Sequence, residues 1–219
     1  MYRFVIFDLD GTLIDSSEGV VEAVNYSLQQ VGEPPQPPEA IKAYIGYPLA
    51  KMYPNFTDAP YEQLYAHFSV KAAQTIVPST RALPHADDVL KKLHADGLTL
   101  AVATTKIKKH VDGILAKLGW REYFRAAVGG DEAPRFKPDP GIFRLALGRM
   151  KAEPSGTMVV GDTVNDVHAA RAVPMTVTAI ASPYGHRDEI MASRPDYFIE
   201  DIRQLPEILR LADDDRGRG

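Results

Sequence analysis

The 219-residue sequence contains no cysteine, which excludes disulfide bonds and thiolate metal sites. It also lacks an apolar run approaching the about 18 residues that a membrane-spanning helix needs. The first residues show no charged segment followed by an apolar one, so no signal peptide is expected. The six histidines show no pair at metal-binding spacing. We therefore expect a cytoplasmic protein without a membrane partner, in which any metal site is built from oxygen ligands.

An excess of one charge sign is also missing. The chain has 25 Lys and Arg against 29 Asp and Glu, a net charge of -4, and no long run of either sign. Without a basic field, nucleic acid is not an expected partner. What the sequence does contain is 45% hydrophobic and 25% charged residues, which suffices for one core and a smaller satellite unit.

Apolar strands alternate with amphipathic helices from residue 84 onward. This order, together with an apolar strand near the start of the chain, predicts an α/β fold with a doubly wound, parallel, Rossmann-like sheet. The predicted strands cover residues 4–7, 98–103, 126–128, 158–160 and 176–180, and the predicted helices cover residues 86–96, 108–118, 141–151 and 164–172.

The segment after the first strand has a different pattern, because it contains no predicted strand. Apolar residues recur there at helical spacing, and glycines and prolines interrupt them. We predict a helical cap domain that is inserted into the α/β core and can close over the strand ends. The predicted units are a core of residues 1–15 and 81–212, a cap of residues 16–80 and a disordered tail of residues 213–219.

The most informative motif is DLDGTL at residues 8–13, directly after the first strand. Alternate strand residues share a face, so Asp8 and Asp10 are expected to point the same way, and Gly11 to form the turn. Two carboxylates so near to each other repel unless a cation lies between them, which predicts a hard divalent ion such as Mg²⁺. The alternative is a solvated acidic turn after an ordinary strand.

A second acidic turn, with Asp162 and Asp166, follows another buried strand. If the two strands are parallel neighbours, their aspartates gather at one carboxyl-terminal edge, where open α/β sheets bind ligands. Thr104 and Thr105 follow a third strand and offer hydroxyl and backbone donors. Lys137 lies in an extended stretch, because Pro138 and Pro140 each keep the preceding residue out of a helix, and it adds a cation. Such a set of groups suits a phosphate bridged to a metal.

In this order the motifs resemble those of the haloacid dehalogenase superfamily, in its phosphatase branch, and most closely phosphoglycolate phosphatases with a small helical cap. The four motifs are residues 8–13, Thr104, Lys137 before its proline, and GDTVND at residues 161–166. The resemblance covers nearly the whole chain. It implies Mg²⁺-dependent hydrolysis of a small phosphorylated metabolite, a phosphoglycolate-like phosphomonoester, through an aspartyl-phosphate intermediate. Both a monomer and a homodimer are compatible with it.

The resemblance also implies roles for individual residues. Asp8 is the implied nucleophile, and Asp10 the general acid and base. Thr104 and Lys137 are implied to stabilise the phosphoryl oxygens. The implied substrate contacts are Gly11, Thr104, Thr105, Lys137 and the cap residues Gly46 and Tyr47, and the implied metal ligands are Asp8, the backbone carbonyl of Asp10, Asp162 and Asp166.

Several alternatives remain open. Thr104 is a possible helix N-cap, Lys137 a possible surface lysine, and the cap loop around Gly46 a possible plain turn. A phosphomutase of the β-phosphoglucomutase type would use the same acids and require a sugar bisphosphate for turnover. A non-catalytic protein that binds a phosphorylated ligand would retain the site without turnover.

Overall fold

The computed structural model describes residues 2–185 and 187–216, with side chains up to residue 210. Its strands are β1 (Phe4–Phe7), β2 (Ile14–Asp15), β3 (Arg81–Ala82), β4 (Thr99–Ala103), β5 (Phe124–Val128), β6 (Thr157–Gly161), β7 (Thr176–Ile180) and β8 (Tyr197–Ile199). Its α-helices are α1 (Ser17–Gln30), α2 (Pro38–Lys42), α3 (Leu49–Met52), α4 (Tyr61–Ser79), α5 (Ala86–Ala95), α6 (Lys108–Lys117), α7 (Gly141–Met150), α8 (Val164–Arg171), α9 (Arg187–Ala192) and α10 (Leu205–Arg216).

Six strands form one parallel sheet in the order β5-β4-β1-β6-β7-β8. In the central strand β1, Phe7 pairs with Val102 of β4 on one side and with Val160 of β6 on the other. Strands of a parallel sheet that is covered on both faces are almost entirely apolar. β1 is apolar throughout, and β4 and β6 are apolar after an initial threonine. The predicted doubly wound α/β fold is confirmed, and the carboxyl ends of these three strands meet at one edge.

The two faces of the sheet belong to different hydrophobic clusters. Val5 and Phe7 pack into a cluster with residues of α1, α4, α5 and α6, whereas Ile6 packs into one with residues of α7 and α8. This alternation follows from the period of two in a strand. The single tryptophan, Trp120, is buried in the first cluster, where its indole Nε1 donates to Asp87 Oδ1 at 2.7 Å.

Helices α1 to α4 occupy the chain between β2 and β3 and form the cap. Helix α1 packs along α4, and Thr75 Oγ1 of α4 donates to the carbonyl oxygen of Gly19 at 3.0 Å. A Cβ at Gly19 would lie 2.7 Å from the Thr75 carbonyl oxygen, so glycine permits this close approach. Strands β2 and β3 pair antiparallel, and this ribbon carries both crossings between the cap and the sheet.

The chain after β7 contains elements that the sequence pattern does not predict, namely α9, β8 and α10. Strand β8 has three residues and lies at the edge of the sheet, too short for a periodic signal. The backbone is helical up to Arg216, although disorder is predicted from residue 213, and residues 217–219 lie outside the described residues. None of the helices in the described chain is both long and apolar enough to cross a membrane.

Candidate active site

Three aspartates lie together at the carboxyl edge of the sheet. Asp8 directly follows β1, whereas Asp162 and Asp166 lie at the end of β6 and in the first turn of α8. Each offers a carboxylate oxygen, and these atoms lie within 4.8 Å of one another. The three residues are exposed by 2%, 1% and 0%. Carboxylate oxygens at this spacing suit a hard divalent cation such as Mg²⁺.

Lys137 lies among these carboxylates. Its Nζ donates to Asp8 Oδ1 at 2.7 Å, to Asp166 Oδ1 at 2.6 Å and to the carbonyl oxygen of Ala103 at 3.3 Å. The residue is 3% exposed, so the alternative of a surface lysine is wrong. One ammonium does not balance three buried carboxylates, and the remaining negative charge fits the addition of a divalent cation.

The excess of negative charge also shifts the pKa values of the aspartates and of Lys137. Burial raises the pKa of Asp8 to about 6 against the opposing effect of Lys137, and the charge of Asp166 adds to the rise. Burial, with the charges of Asp8 and Asp166, raises the pKa of Asp162 well above its usual range. Burial lowers the pKa of Lys137, but the two carboxylates that it contacts outweigh this effect and raise it. A bound cation would favour the ionised carboxylates.

Hydroxyl groups orient two of the aspartates. Asp162 accepts from Thr12 Oγ1 at 3.1 Å and from Ser182 Oγ at 2.6 Å. Asp166 Oδ2 accepts from the backbone N–H of Thr163 at 3.1 Å and from its Oγ1 at 2.7 Å. Thr163 is the N-cap of α8, so the start of this helix fixes one carboxylate of the cluster.

Gly11 brings the first acidic loop against the second. Its φ is +77°, and a Cβ at this position would lie 2.0 Å from Asp162 Oδ2 and 2.9 Å from Ser182 Oγ. Both the backbone conformation and the available space therefore require glycine. A contact of Gly11 with substrate stays a prediction, whereas its contact with Asp162 is a feature of the structure.

Asp10 has different partners from Asp8. Ser16 Oγ donates to Asp10 Oδ1 at 2.5 Å, and Lys106 Nζ lies 3.0 Å from Asp10 Oδ2. Among the described residues, the carboxylate cluster contains Asp8, Asp162 and Asp166 but not the carboxylate of Asp10. Asp8 and Asp10 were expected to point the same way because alternate residues of a strand share a face. That rule does not apply here, because β1 ends at Phe7 and the chain then turns. A metal contact through the backbone carbonyl of Asp10 stays a prediction.

Thr104 and Thr105 follow β4 at the same edge of the sheet. Thr104 is buried, its N–H donates to the carbonyl oxygen of Val128 at 3.2 Å, and its Oγ1 accepts from the N–H of Lys106 at 3.4 Å. It is not the N-cap of α6, because that helix begins at Lys108 with Ile107 as its N-cap. This alternative for Thr104 is therefore wrong, and its hydroxyl belongs to the strand-end loop.

The cap loop that contains Gly46 and Tyr47 contacts the loops at the carboxyl ends of the strands. The carbonyl oxygen of Gly46 accepts from Thr105 Oγ1 at 3.5 Å, and a Cβ at Gly46 would lie 2.9 Å from Thr163 Cγ2. The hydroxyl of Tyr47 donates to Glu189 Oε2 of α9 at 3.1 Å. The structure thus brings Gly46 and Tyr47 to the carboxylate edge, and both line a cavity of about 150 Å³ together with Asp10.

Three residues outside the four motifs have contacts in the site and had no predicted role. Ser16 and Lys106 hold Asp10, and Ser182 holds Asp162. Lys106 carried a positional signal, because it follows the same strand as Thr104. The two serines carried none, since only the fold brings residues of the β2 and β7 loops to the aspartates.

Comparison with known proteins agrees with this geometry. The family model of the haloacid dehalogenase-like hydrolases matches residues 5–180. The chain is 32% identical over 213 residues to a phosphoglycolate phosphatase of Pseudomonas putida, covering 93% of this chain and 78% of that protein. It is 29% identical over 220 residues to a phosphoglycolate phosphatase of Haemophilus influenzae, covering 95% of this chain and 98% of that protein.

Solved structures are similar over nearly the whole chain. A crystal structure described as a predicted phosphoglycolate phosphatase from Haemophilus somnus has a TM-score of 0.84 at 26% identity, and the match covers 94% of this chain and 97% of that one. A hydrolase from Pseudomonas syringae has a TM-score of 0.78 at 26% identity, with the same coverage of 94% and 97%. The similarity therefore includes both the sheet and the cap.

Proposed function

The chain belongs to the haloacid dehalogenase-like hydrolase family, and on this basis we propose that it hydrolyses a small phosphomonoester with Mg²⁺, through phosphorylation of Asp8. Its relatives identify it as a phosphatase, a phosphoric monoester hydrolase. The observation that carries the proposal is the placement of Asp8 in a buried three-carboxylate cluster, against the ammonium of Lys137. A cytoplasmic location stays a prediction from the sequence.

Asp8, Asp162 and Asp166 are the residues that would hold the metal, with the backbone carbonyl of Asp10 as a predicted fourth ligand. Their donor set fits Mg²⁺, because it consists of oxygen atoms and carries more negative charge than Lys137 offsets. When bound, the ion would offset the charges of the nucleophile and the phosphate together.

In the first half of the proposed reaction, a carboxylate oxygen of Asp8 attacks phosphorus and the bond from phosphorus to the leaving oxygen breaks. Asp10 gives its proton to that oxygen, so the alcohol leaves neutral. Ser16 and Lys106 hold the Asp10 carboxylate during this transfer. The product of this half is the alcohol and an acyl phosphate on Asp8.

In the second half, water attacks the phosphorus of the acyl phosphate and Asp10 takes a proton from it. The bond between phosphorus and Asp8 breaks, which releases inorganic phosphate and restores both carboxyl groups. Lys137 and Thr104 would stabilise the phosphoryl oxygens in both halves. The position of Lys137 supports its role, since its Nζ already lies 2.7 Å from the nucleophile.

The test is phosphate release from a panel of phosphomonoesters that includes 2-phosphoglycolate, with and without Mg²⁺. We expect release only with the metal, and a mass increase of one phosphoryl group on enzyme quenched during turnover. The variant Asp8→Asn should lose both signals. Asp96→Asn is the matched control, because Asp96 lies on the surface in an ion pair with Lys92.

A sugar bisphosphate in the same panel separates the alternatives. Turnover that requires the bisphosphate would indicate a phosphomutase, and ligand binding without any phosphate release would indicate a non-catalytic protein. Phosphate release by Asp8→Asn at the wild-type rate would overturn the assignment of the nucleophile.

A further inference from the structure

We propose that the cavity beside Asp10 receives an apolar, aromatic leaving group, so that the enzyme prefers phosphomonoesters of hydrophobic alcohols to phosphoglycolate. This inference rests on the proposed phosphatase function and narrows its substrate class.

The cavity lies where the leaving group must go. Asp10, which would protonate the leaving oxygen, lines it, and so do its neighbours Thr105 and Lys106 on the core side. On the cap side it is closed by the loop with Gly46 and Tyr47. In the proposed reaction Asp10 protonates the ester oxygen of a phosphate bound at Asp8, so the group attached to that oxygen would extend into this space.

The size and lining of the cavity suit a ring. Its volume is about 150 Å³, and a cavity of that size lined by aliphatic and aromatic side chains is large enough for benzene. Its inner wall contains the buried apolar residues Ile45, Met52, Phe68 and Ile76. Burial of a ring against such a wall is favourable, whereas the short polar chain of glycolate gains little there.

Exposed aromatic side chains also collect around this cavity. Tyr61, Tyr65 and Phe136 are exposed by 38%, 39% and 46%, and all three line it. Tyr61 and Tyr65 stack with ring centroids 5.8 Å apart and an interplanar angle of 25°. Large apolar side chains left in water beside a cavity are typical of a binding surface, and aromatic pairs favour a further ring.

The charges in the cavity disfavour a carboxylate. Among the described lining residues, the basic side chains are Lys106 and His110. The side chain of Lys106 is 6% exposed and is paired with Asp10. Burial and the nearby charge of Lys106 lower the pKa of His110 to about 4, so His110 is neutral at pH 7. The carboxylate of phosphoglycolate would thus be buried beside a lysine that is already paired and a neutral imidazole, which is costly.

The experiment compares benzyl phosphate, ethyl phosphate and 2-phosphoglycolate, with Mg²⁺ and inorganic phosphate as the readout. All three leave as alcohols rather than phenols, so differences in kcat/KM reflect binding of the leaving group more than its intrinsic reactivity. We expect kcat/KM for benzyl phosphate to exceed that for each of the other two by about tenfold or more, the scale of discrimination that an apolar pocket provides.

Two single substitutions in α4 test whether the substrate preference arises in this cavity. Tyr65→Lys places a cation at the cavity and should lower the preference for benzyl phosphate over 2-phosphoglycolate by about tenfold. Val70→Lys adds the same side chain at a position that is 57% exposed and does not line the cavity. It should leave that preference unchanged.

Each outcome has a distinct meaning. Equal or better turnover of 2-phosphoglycolate by the wild-type enzyme would overturn the inference and leave the phosphatase function intact. An equal change in preference in both lysine variants would also overturn it, because the effect would then not arise in the cavity. Phosphate release from none of the three esters would overturn the proposed function itself, and this inference with it.

Discussion

The ammonium of Lys137 bridges Asp8 and Asp166, with Nζ to oxygen distances of 2.7 and 2.6 Å. Asp8 follows β1 and Asp166 lies in the first turn of α8, so this one cation ties the proposed nucleophile to the start of that helix. It also partly offsets the repulsion between two buried negative charges.

Removal of this cation should therefore affect both activity and stability. We expect Lys137→Met to lower kcat by about 100-fold or more, because a group that stabilises developing charge is lost. We also expect it to lower the free energy of unfolding of the metal-free protein by about 3–5 kcal/mol, as for a broken buried ion pair. Urea unfolding followed by the fluorescence of Trp120, the single tryptophan, measures the second effect.

The control for this prediction is Lys92→Met, which removes a lysine paired with Asp96 on the surface. Exposed pairs contribute about 0–1 kcal/mol, so little change is expected. Equal losses of stability in the two variants would contradict the role given to Lys137.

The stability of the metal-free protein should depend on pH through Asp8. Its pKa rises from an ordinary 3.8 to about 6 on folding, so between these values the unfolded chain loses the proton first. As the pH rises from about 4 to about 6, this group should therefore lower the free energy of unfolding by roughly 3 kcal/mol. Each tenfold change in proton affinity corresponds to about 1.4 kcal/mol.

Asp8→Asn isolates this contribution, because the variant cannot lose that proton. The comparison is urea unfolding at a series of pH values between 4 and 7 for both proteins. Added Mg²⁺ should stabilise the wild-type protein more at pH 7 than at pH 5, since the ion binds ionised carboxylates. The same pH dependence in wild type and variant would refute the assignment.

Gly11 should be needed for the placement of Asp162. In Gly11→Ala the new Cβ would lie 2.0 Å from Asp162 Oδ2, so the carboxylate must move and the affinity for Mg²⁺ should fall by about tenfold or more. Gly32→Ala is a matched control. Gly32 also has a positive φ, +85°, but nothing lies within 4 Å of its Cβ position.

Both alanine variants carry the cost of a left-handed backbone, about 1–2 kcal/mol, and only the first displaces a carboxylate. Titration with Mg²⁺, followed by activity and by calorimetry, distinguishes them. Unchanged affinity in Gly11→Ala would show that this contact does not hold the site.

Ser16 should matter for the rate rather than for binding. Its Oγ donates to Asp10 Oδ1 at 2.5 Å, and without it Asp10 loses one of two groups that orient it. We expect Ser16→Ala to lower kcat by roughly 10- to 100-fold, the size of a lost hydrogen bond to a charged group, with KM little changed.

Ser27→Ala provides the comparison, because Ser27 is equally buried but bonds to Tyr53 and Val24 within the cap. It should lower stability and leave kcat unchanged. A similar loss of kcat in both variants would assign the effect of Ser16 to general destabilisation.

The sequence was most informative where strands end. Asp8 and Asp162 follow apolar strands that had to be buried, and parallel neighbours bring their ends together, so these residues could be identified before the fold was known. The contacts of Asp10 could not be predicted, although Lys106 follows a strand as Thr104 does. Lys106 and Ser16 reach it through the β4 and β2 loops, and loop conformation leaves no periodic signal in a sequence.

The cap also has features that the sequence predicts and features that only the folded structure shows. Its helices follow from apolar spacing, glycines and prolines, but the cavity that it forms with the core does not. Tyr61 and Tyr65 have the spacing of ordinary helical core residues. The cavity that they line together with Asp10 in the folded chain gives them a candidate role in substrate binding.

The sequence by itself determined the α/β architecture and the family, because hydrophobic periodicity and short motifs act over neighbouring residues. Tertiary structure alone decided which groups touch Asp10, that Gly11 leaves room for Asp162, and that apolar cap residues face the site. Gly11 and Asp162 are 151 positions apart, and this separation is bridged only when β1 and β6 pair in the sheet. The cap residues reach the site only when the cap has packed on the sheet.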